Sequence, residues 1–272
     1  MKIYISADME GIANHTGWDM VRPGSALYPE AAQRMTREVA AAVEGAFAIG
    51  ASEVHVNDSH NGMRNLVPEL LDSRTILVSG APKPWSMLQG VDDSFDMAFF
   101  VGYHAMGGGM GVLAHTYSLA PQDVRVNDVP LGEAGMNALV AGHFGVPIAL
   151  VTGDDVLAAE VGKIMPWTER VVVKTAMNRF AASSLSPRLA QEAVREGAMR
   201  AIARRSEMKV FTIPAPYHLR VTFTYAGQAD VASICPGAER VGARDVAIVA
   251  ADPLLLHRAF RTLVTLAGVA NE

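Results

Sequence analysis

Short apolar segments alternate with longer segments of helical periodicity through the first two-thirds of the chain, and this alternation constrains the fold more than any other feature. Strands that alternate with helices form a mostly parallel sheet with helices on both faces. We therefore predict an α/β fold. Its strands are predicted at residues 3–7, 52–58, 74–80, 95–102 and 147–153, and its helices at residues 30–48, 133–144 and 154–164.

The pattern changes after about residue 180. A long helix is predicted from residue 187 to about residue 205, and two strands follow at residues 217–225 and 245–251. A last helix is predicted at residues 253–268. We therefore expect a larger α/β domain over residues 1–180 and a smaller C-terminal α+β domain over residues 181–272.

Charge and cysteine content exclude several classes of function. The 272 residues carry 23 Lys and Arg against 28 Asp and Glu, a net charge of −5, with no basic block. This balance argues against a nucleic-acid or anionic-membrane partner. Cys235 is the only cysteine, which excludes an intrachain disulfide and a thiolate zinc cluster. The chain begins with a strand rather than a signal sequence and has no long apolar span, so we expect a cytoplasmic protein.

Polar side chains follow several of the predicted strands, at the point where each strand ends. In open parallel sheets, ligands bind beyond the carboxyl ends of the strands. The side chains concerned are Asp8 and Glu10 after the first strand, Asp58 and His60 after the second, His104 after the fourth, and Glu133 at the start of a helix. We expect this edge of the sheet to carry the functional site.

Each of these residues alone also has a structural explanation. An Asp after a strand is typical of turns and caps, and Glu133 suits a helix N-terminus. Together, however, several acids in one place need cations between them. Mixed carboxylate and imidazole ligands favour zinc or manganese, and Asp8 could bridge two ions ~3.5–4 Å apart. His115 is either an acid–base or oxyanion group or a partly buried structural histidine.

Other polar segments have simpler interpretations. The glycines near residue 108 are not followed by the Gly-Lys-Ser/Thr of a phosphate loop. Met106 and Met110 beside them fit either a mobile loop at the site or a packed surface loop. Asp154 and Asp155 most simply cap a helix.

Seven segments occur in an order that resembles the zinc-dependent D-aminopeptidase family of bacterial dipeptide-transport operons: SADMEGI, VNDSH, GYHA, GVLAHT, PLGEAGMNA, VTGDD and GQAD…PG. The resemblance implies two metal ions per subunit, with zinc favoured and manganese as the alternative. It also implies a two-domain subunit and a homo-oligomer, a decameric ring. The metal ligands that it implies are Asp8, Glu10, His60, His104 and Glu133, with His115 as an additional active-site histidine.

The function that the resemblance implies is hydrolysis of the amino-terminal peptide bond of short peptides that contain D-amino acids. His115 would stabilise the oxyanion or transfer a proton, and Asp58 would orient a ligating imidazole if it reaches one. Residues 14–16 and 106–110 differ from the D-specific members, so L- or mixed specificity stays open.

Two further alternatives stay open. The first is a two-metal phosphoesterase, which is disfavoured because the nearest cations in sequence are Lys83 and Arg64. The second is a non-catalytic peptide-binding protein attached to a transporter, against which the intact ligand set argues.

Overall fold

A computed structural model describes residues 1–270 of the chain. Its strands are β1 (Lys2–Ala7), β2 (Glu53–Asp58), β3 (Thr75–Val78), β4 (Met97–Val101), β5 (Pro121–Val126), β6 (Val129–Pro130), β7 (Ile148–Asp154), β8 (Glu169–Asn178), β9 (Ala181–Ser184), β10 (Tyr217–Phe223), β11 (Glu239–Arg240) and β12 (Asp245–Ala250). Its α-helices are α1 (Trp18–Val21), α2 (Tyr28–Ala48), α3 (Glu133–His143), α4 (Asp155–Ile164), α5 (Pro187–Ala203), α6 (Ala226–Ala232) and α7 (Pro253–Ala267).

The larger sheet has seven strands in the order β3-β2-β1-β4-β7-β8-β9. Every neighbouring pair is parallel except the β8–β9 hairpin. Side chains alternate between the two faces of a strand. Accordingly Ile5 and Phe99 join one hydrophobic core with α2 and α5, and Tyr4 and Phe100 join a second core with α3, α4 and α7. The predicted mostly parallel sheet with helices on both faces is confirmed.

The smaller sheet has five strands in the order β11-β12-β10-β5-β6, and its pairs are antiparallel. Helices α6 and α7 pack against it. This sheet with its helices corresponds to the smaller α+β unit expected near the C-terminus. It also takes β5 and β6 from before residue 180, while α5, from after residue 180, packs on α2 and β8 of the larger sheet. The division into domains at residues 1–180 and 181–272 stays a prediction.

Helix α2 illustrates how the local sequence sets these elements. Met35, Val39 and Val43 recur every four residues and are fully buried, and a proline stands at its first turn. In the same way, the continuous apolar strands of the larger sheet explain why its interior strands are buried on both faces. No helix within residues 1–270 is both long enough and apolar enough to cross a membrane.

Candidate metal centre

The five residues proposed as metal ligands lie together beyond the carboxyl ends of β1, β2 and β4. Asp8 and Glu10 stand in the loop after β1, His60 after β2 and His104 after β4. Glu133 is the first residue of α3 and reaches the same edge of the sheet from the following connection. All five are buried. The topology therefore explains why residues distant in sequence share one site.

Close approach of two loops brings Asp8 to His104. The amide of Asp8 donates to the carbonyl of Val101, and the amide of Gly11 donates to that of Gly102. A Cβ atom on Gly11 would lie 1.8 Å from the carbonyl oxygen of Tyr103. Gly102 has a φ of +73°, in the left-handed region that favours glycine. Only glycine therefore fits at position 11. The close approach of Gly11 to Tyr103 holds the loop after β1 against the loop after β4.

The two oxygens of Asp8 face different imidazoles. Oδ1 lies 3.2 Å from Nδ1 of His60, and Oδ2 lies 3.4 Å from Nε2 of His104. Glu10 Oε2 lies 3.0 Å from the same His60 nitrogen, and Glu133 Oε1 lies 3.2 Å from the same His104 nitrogen. Asp8 thus lies between two groups of candidate metal ligands. One group contains Glu10 and His60, and the other contains His104 and Glu133.

Backbone carbonyls fix which nitrogen of each histidine faces the cluster. Nε2 of His60 lies 2.7 Å from the carbonyl of Val21, and Nδ1 of His104 lies 3.0 Å from that of Ala105. A carbonyl can only accept, so these nitrogens carry the protons of the neutral rings. The opposite nitrogens are therefore free to ligate, and both face carboxylates.

Three buried atoms of the cluster have no hydrogen-bond partner within residues 1–270: Asp8 Oδ2, Glu10 Oε2 and His104 Nε2. Buried polar atoms are normally paired, because leaving one unpaired costs free energy. All three belong to residues whose carboxylates and imidazoles face one another. A mixed set of carboxylate oxygens and imidazole nitrogens suits zinc. The residues present therefore fit a metal centre.

The electrostatics of the cluster favour bound positive charge. Burial, reinforced by the neighbouring Glu10 carboxylate, raises the pKa of Asp8 to about 7. Burial also disfavours the charge on Glu10, but the facing His60 leaves the pKa of Glu10 well below its ordinary value. Although burial opposes its protonation, His104 has its pKa raised to about 10 by Glu133. The buried carboxylates therefore favour positive charge on the imidazoles that they face.

His115 lies beside this cluster. Its ring stacks on that of His104, and its Nε2 lies 3.6 Å from Glu133 Oε1. One ligand atom each from His104, His115 and Glu133 lie within 4.8 Å of one another, as do those of Asp8, Glu10 and His104. Burial and the neighbouring His104 lower the pKa of His115. The position of His115 is compatible with a role as a metal ligand and also with a role in proton transfer.

The loop around His115 is held in an uncommon conformation. Leu113 and Tyr117 have φ values of +53° and +61°, which non-glycine residues seldom adopt. The Leu113 carbonyl accepts from His115 Nδ1 at 2.8 Å, and the Tyr117 amide donates to Glu133 Oε1 at 2.6 Å. Trp18 packs edge-on against the His115 ring with centroids 5.5 Å apart. These contacts fix the imidazole towards the cluster.

Asp58 does not orient a ligating imidazole, so that expectation is wrong. Its carboxylate accepts from the amides of Asn65 and Leu66 and from the Asn65 side chain. Asn65 also donates to the carbonyl of His60. Asp58 therefore holds the turn that follows His60, because a buried carboxylate here satisfies several backbone donors at once.

The predicted helix cap is confirmed. Asp154 is the N-cap of α4 and accepts from the amide of Leu157 at 2.8 Å. Its other oxygen accepts from the amide of Val112 at 2.7 Å, so the cap also anchors the loop that leads to His115. Near that loop Met106 is half-buried, and its amide donates to Glu160, while Met110 is exposed.

A cavity of about 440 Å³ opens onto the cluster. Asp8, Glu10, His60, His115 and Glu133 line it together with Arg22 and Arg261. Neither arginine was anticipated, because they come from the segment after α1 and from α7, far from every strand end. In space, the cations that line the cavity are therefore these two arginines rather than Lys83 and Arg64, the nearest in sequence. Lys83, which was considered for that role, instead donates to Asn57 and to two backbone carbonyls.

This chain is similar to known D-aminopeptidases over nearly its whole length. The family model Peptidase M55, D-aminopeptidase, matches residues 1–262. A D-aminopeptidase of Bacillus subtilis (strain 168) is 37% identical over 268 residues, which cover 98% of each protein. Among solved structures, the fold matches the Zn-dependent D-aminopeptidase DppA from Bacillus subtilis, "a self-compartmentalizing protease", with a TM-score of 0.98. The identity is 36%, and the match covers 100% of both chains.

Proposed function

Because this chain belongs to the Peptidase M55 family of D-aminopeptidases, we propose that it removes the first residue of short peptides that begin with a D-amino acid, using two metal ions. Membership of the family makes the protein a metallo-aminopeptidase. The observation that carries the proposal is the buried cluster in which Asp8 stands between two groups of donors, with three of the cluster's atoms lacking a hydrogen-bond partner among residues 1–270.

The residues divide into two ligand sets. Glu10 and His60 Nδ1 would hold one ion together with Asp8 Oδ1, and His104 Nε2 and Glu133 would hold the other together with Asp8 Oδ2. Zinc is the metal we favour, since the matched structure is Zn-dependent, and manganese is the alternative. When bound, zinc supplies Lewis-acid polarisation of the scissile carbonyl and makes water more acidic near neutral pH.

His115 is the residue that we propose for proton transfer. Its Nδ1 proton is held by the Leu113 carbonyl, so Nε2 carries a lone pair that faces the cavity side of the cluster. Nε2 could accept a proton during attack and return it to the leaving amine. Once protonated, the same nitrogen would also stabilise a developing oxyanion.

The walls of the cavity suit a short peptide. The proposed metal ligands Glu10 and Glu133 line it, so the scissile bond of a substrate in this cavity would lie beside the metal centre. The side chains of Val21, Met63, Met87 and Leu119 supply apolar surface for small side chains. A cavity of this size is typical of sites for small molecules rather than for folded proteins.

We also propose that the subunits form a decameric ring in the cytoplasm. The self-compartmentalizing relative supports a closed homo-oligomer, and its close structural match extends over the whole chain. Ten chains of 29.0 kDa each would have a mass of about 290 kDa. Light scattering coupled to size exclusion measures this mass, and a monomer or dimer at micromolar concentration would contradict the ring.

A panel of substrates tests the proposed activity. The metal-depleted protein is assayed on paired D- and L-aminoacyl amides and dipeptides, with zinc and manganese added back separately. We expect turnover of the D-series only, restored by zinc at two ions per chain. Equal turnover of the L-series would contradict only the D-specificity and would leave the aminopeptidase activity standing. Full activity at one ion per chain would contradict the dinuclear site, and absence of peptide turnover would contradict the aminopeptidase.

A further inference from the structure

The cavity at the metal centre is lined by carboxylates and by two arginines. One of them, Arg261 on α7, is half-buried. Within residues 1–270 its guanidinium has no carboxylate within 4.0 Å and no hydrogen-bond partner, whereas Arg200, Arg204 and Arg220 are all ion-paired. An arginine that is partly removed from water and lacks an anion is suited to bind one.

Aromatic contact holds Arg261 in place. Its Cζ lies 4.9 Å from the centroid of the Tyr117 ring, within the range of a cation–π interaction. The hydroxyl of Tyr117 donates to Asn137 at 2.6 Å, and the backbone amide of Tyr117 donates to Glu133. Tyr117 therefore connects Arg261 to one of the proposed metal ligands, and the guanidinium is oriented before any ligand arrives.

This arrangement suits the terminal carboxylate of a very short peptide. In a dipeptide, one residue separates the scissile carbonyl from the terminal carboxylate, a span of about 3.5 Å. The scissile carbonyl would lie at the proposed metal centre, and the terminal carboxylate would project away from it into the cavity. A guanidinium pairs with a carboxylate through two parallel hydrogen bonds, which gives direction as well as affinity.

From this geometry we propose that Arg261 binds the terminal carboxylate of the substrate and thereby selects free dipeptides. The proposal rests on the aminopeptidase activity proposed above and adds the chemical class of the substrate. Arg22 also lines the cavity, but it is exposed, and its guanidinium lies 5.8 Å from the Trp18 ring. The pairing is assigned to Arg261 because it is the more buried of the two.

Matched variants test this assignment. Arg258 stands one turn before Arg261 on α7 and also packs on an aromatic ring, that of Trp85 at 4.6 Å, but it does not line the cavity. Arg258→Gln is therefore the control for Arg261→Gln, and Arg22→Gln tests the other arginine. Each zinc-loaded protein is assayed on D-alanyl-glycine and on its C-terminal amide.

We expect the wild type to show a kcat/KM about 10- to 100-fold higher on the free acid than on the amide, because the amide has no carboxylate to form the charge-assisted hydrogen bonds. In Arg261→Gln the ratio should fall to about one while activity on the amide changes less than about twofold. Arg258→Gln and Arg22→Gln should keep the wild-type ratio. An unchanged ratio in Arg261→Gln, an equal loss on both substrates, or loss of the ratio in Arg22→Gln would overturn the proposal.

A binding measurement separates this proposal from the proposed activity. Calorimetry gives the dissociation constants of unreactive D-alanyl-glycine analogues, in which the scissile amide is reduced, as the free acid and as the amide. Tighter binding of the acid that disappears only in Arg261→Gln supports the carboxylate site even if no peptide is hydrolysed. Equal binding of acid and amide by the wild type overturns it. If Arg261→Gln does not fold, Arg261→Lys replaces it and should lower the ratio at least about threefold, since lysine lacks the guanidinium fork.

Discussion

The imidazole rings of His104 and His115 stack with centroids 3.9 Å apart and planes inclined by 10°. In both rings Nδ1 is held by a backbone carbonyl, so both Nε2 atoms face the cluster. Nε2 of His104 lies between Asp8 and Glu133, whereas Nε2 of His115 lies 3.6 Å from Glu133 and 4.0 Å from Glu10. The pair therefore combines a proposed ligand with a residue that can carry a proton.

Replacement of His115 separates these two roles. If His115 acts in the transition state, His115→Ala should lower kcat by roughly 10²- to 10³-fold, with little change in KM. Metal content measured by mass spectrometry should stay at the wild-type value, because the other ligands are intact. Loss of metal would show that His115 is a ligand, and normal turnover would leave it only a structural role.

Replacement of His60 or His104 should remove metal and activity together. Each contributes one ring nitrogen that faces two carboxylates. We expect His60→Ala and His104→Ala each to contain at least one ion fewer per chain and to lose nearly all turnover. The exposed His218 supplies the control His218→Ala, which should keep both. Full metal content and activity in either ligand variant would contradict the dinuclear model.

Much of the fold was accessible from the sequence because periodicity records burial directly. The fully apolar run at β4 predicted a strand, and the helical spacing of apolar residues in α2 predicted a helix. The β8–β9 hairpin was not predicted. Buried and exposed positions mix in β8, and Lys174 interrupts its apolar run although that side chain is buried.

The candidate site was accessible where topology alone brings residues together. Strand ends placed Asp8, His60 and His104 at one edge of the sheet, and in the structure Asp8 lies 3.2 Å from His60 and 3.4 Å from His104. Arg261 was not predicted because α7 reaches the cavity by packing on α3 and on the smaller sheet, which no local pattern encodes. The role of Asp58 was misjudged for a similar reason, since its partners follow from the fold of one turn.

Lys174 is expected to stabilise the loop that carries two of the proposed ligands. It is 2% exposed, and its Nζ donates to the carbonyls of Glu10, Ile12 and His15. Lys174→Met would retain most of the volume but leave these buried carbonyls without their donor. We expect the free energy of unfolding to fall by roughly 3 kcal/mol and zinc affinity to fall by about tenfold.

Urea denaturation and zinc titration check the two effects on Lys174→Met. The exposed Lys163 lies on α4 and gives the control Lys163→Met, which should change neither quantity. A destabilised protein with unchanged zinc affinity would show that the loop keeps its ligands in position without Lys174.

His257 should make the protein sensitive to mild acid. It is 1% exposed, and burial, together with the nearby charge of Arg261, lowers its pKa to about 3. The Tyr117 hydroxyl lies 3.2 Å from its Nε2, and its Nδ1 has no partner within residues 1–270. Between pH 6.5 and pH 3 the unfolded chain therefore binds a proton at this residue that the folded protein does not.

The sign of the effect follows from that difference in bound protons. Above pH 6.5 His257 is neutral in both states and contributes no pH dependence, while below it the free energy of unfolding falls as the pH falls. Between pH 7 and pH 5 this residue should account for a loss of about 2 kcal/mol. His257→Gln, which keeps a donor for Tyr117, should lose that much less stability over the same interval, as measured by urea denaturation at both pH values. The exposed His218→Gln should retain the wild-type dependence. If His257→Gln were as acid-sensitive as the wild type, His257 would not be the group that titrates on unfolding.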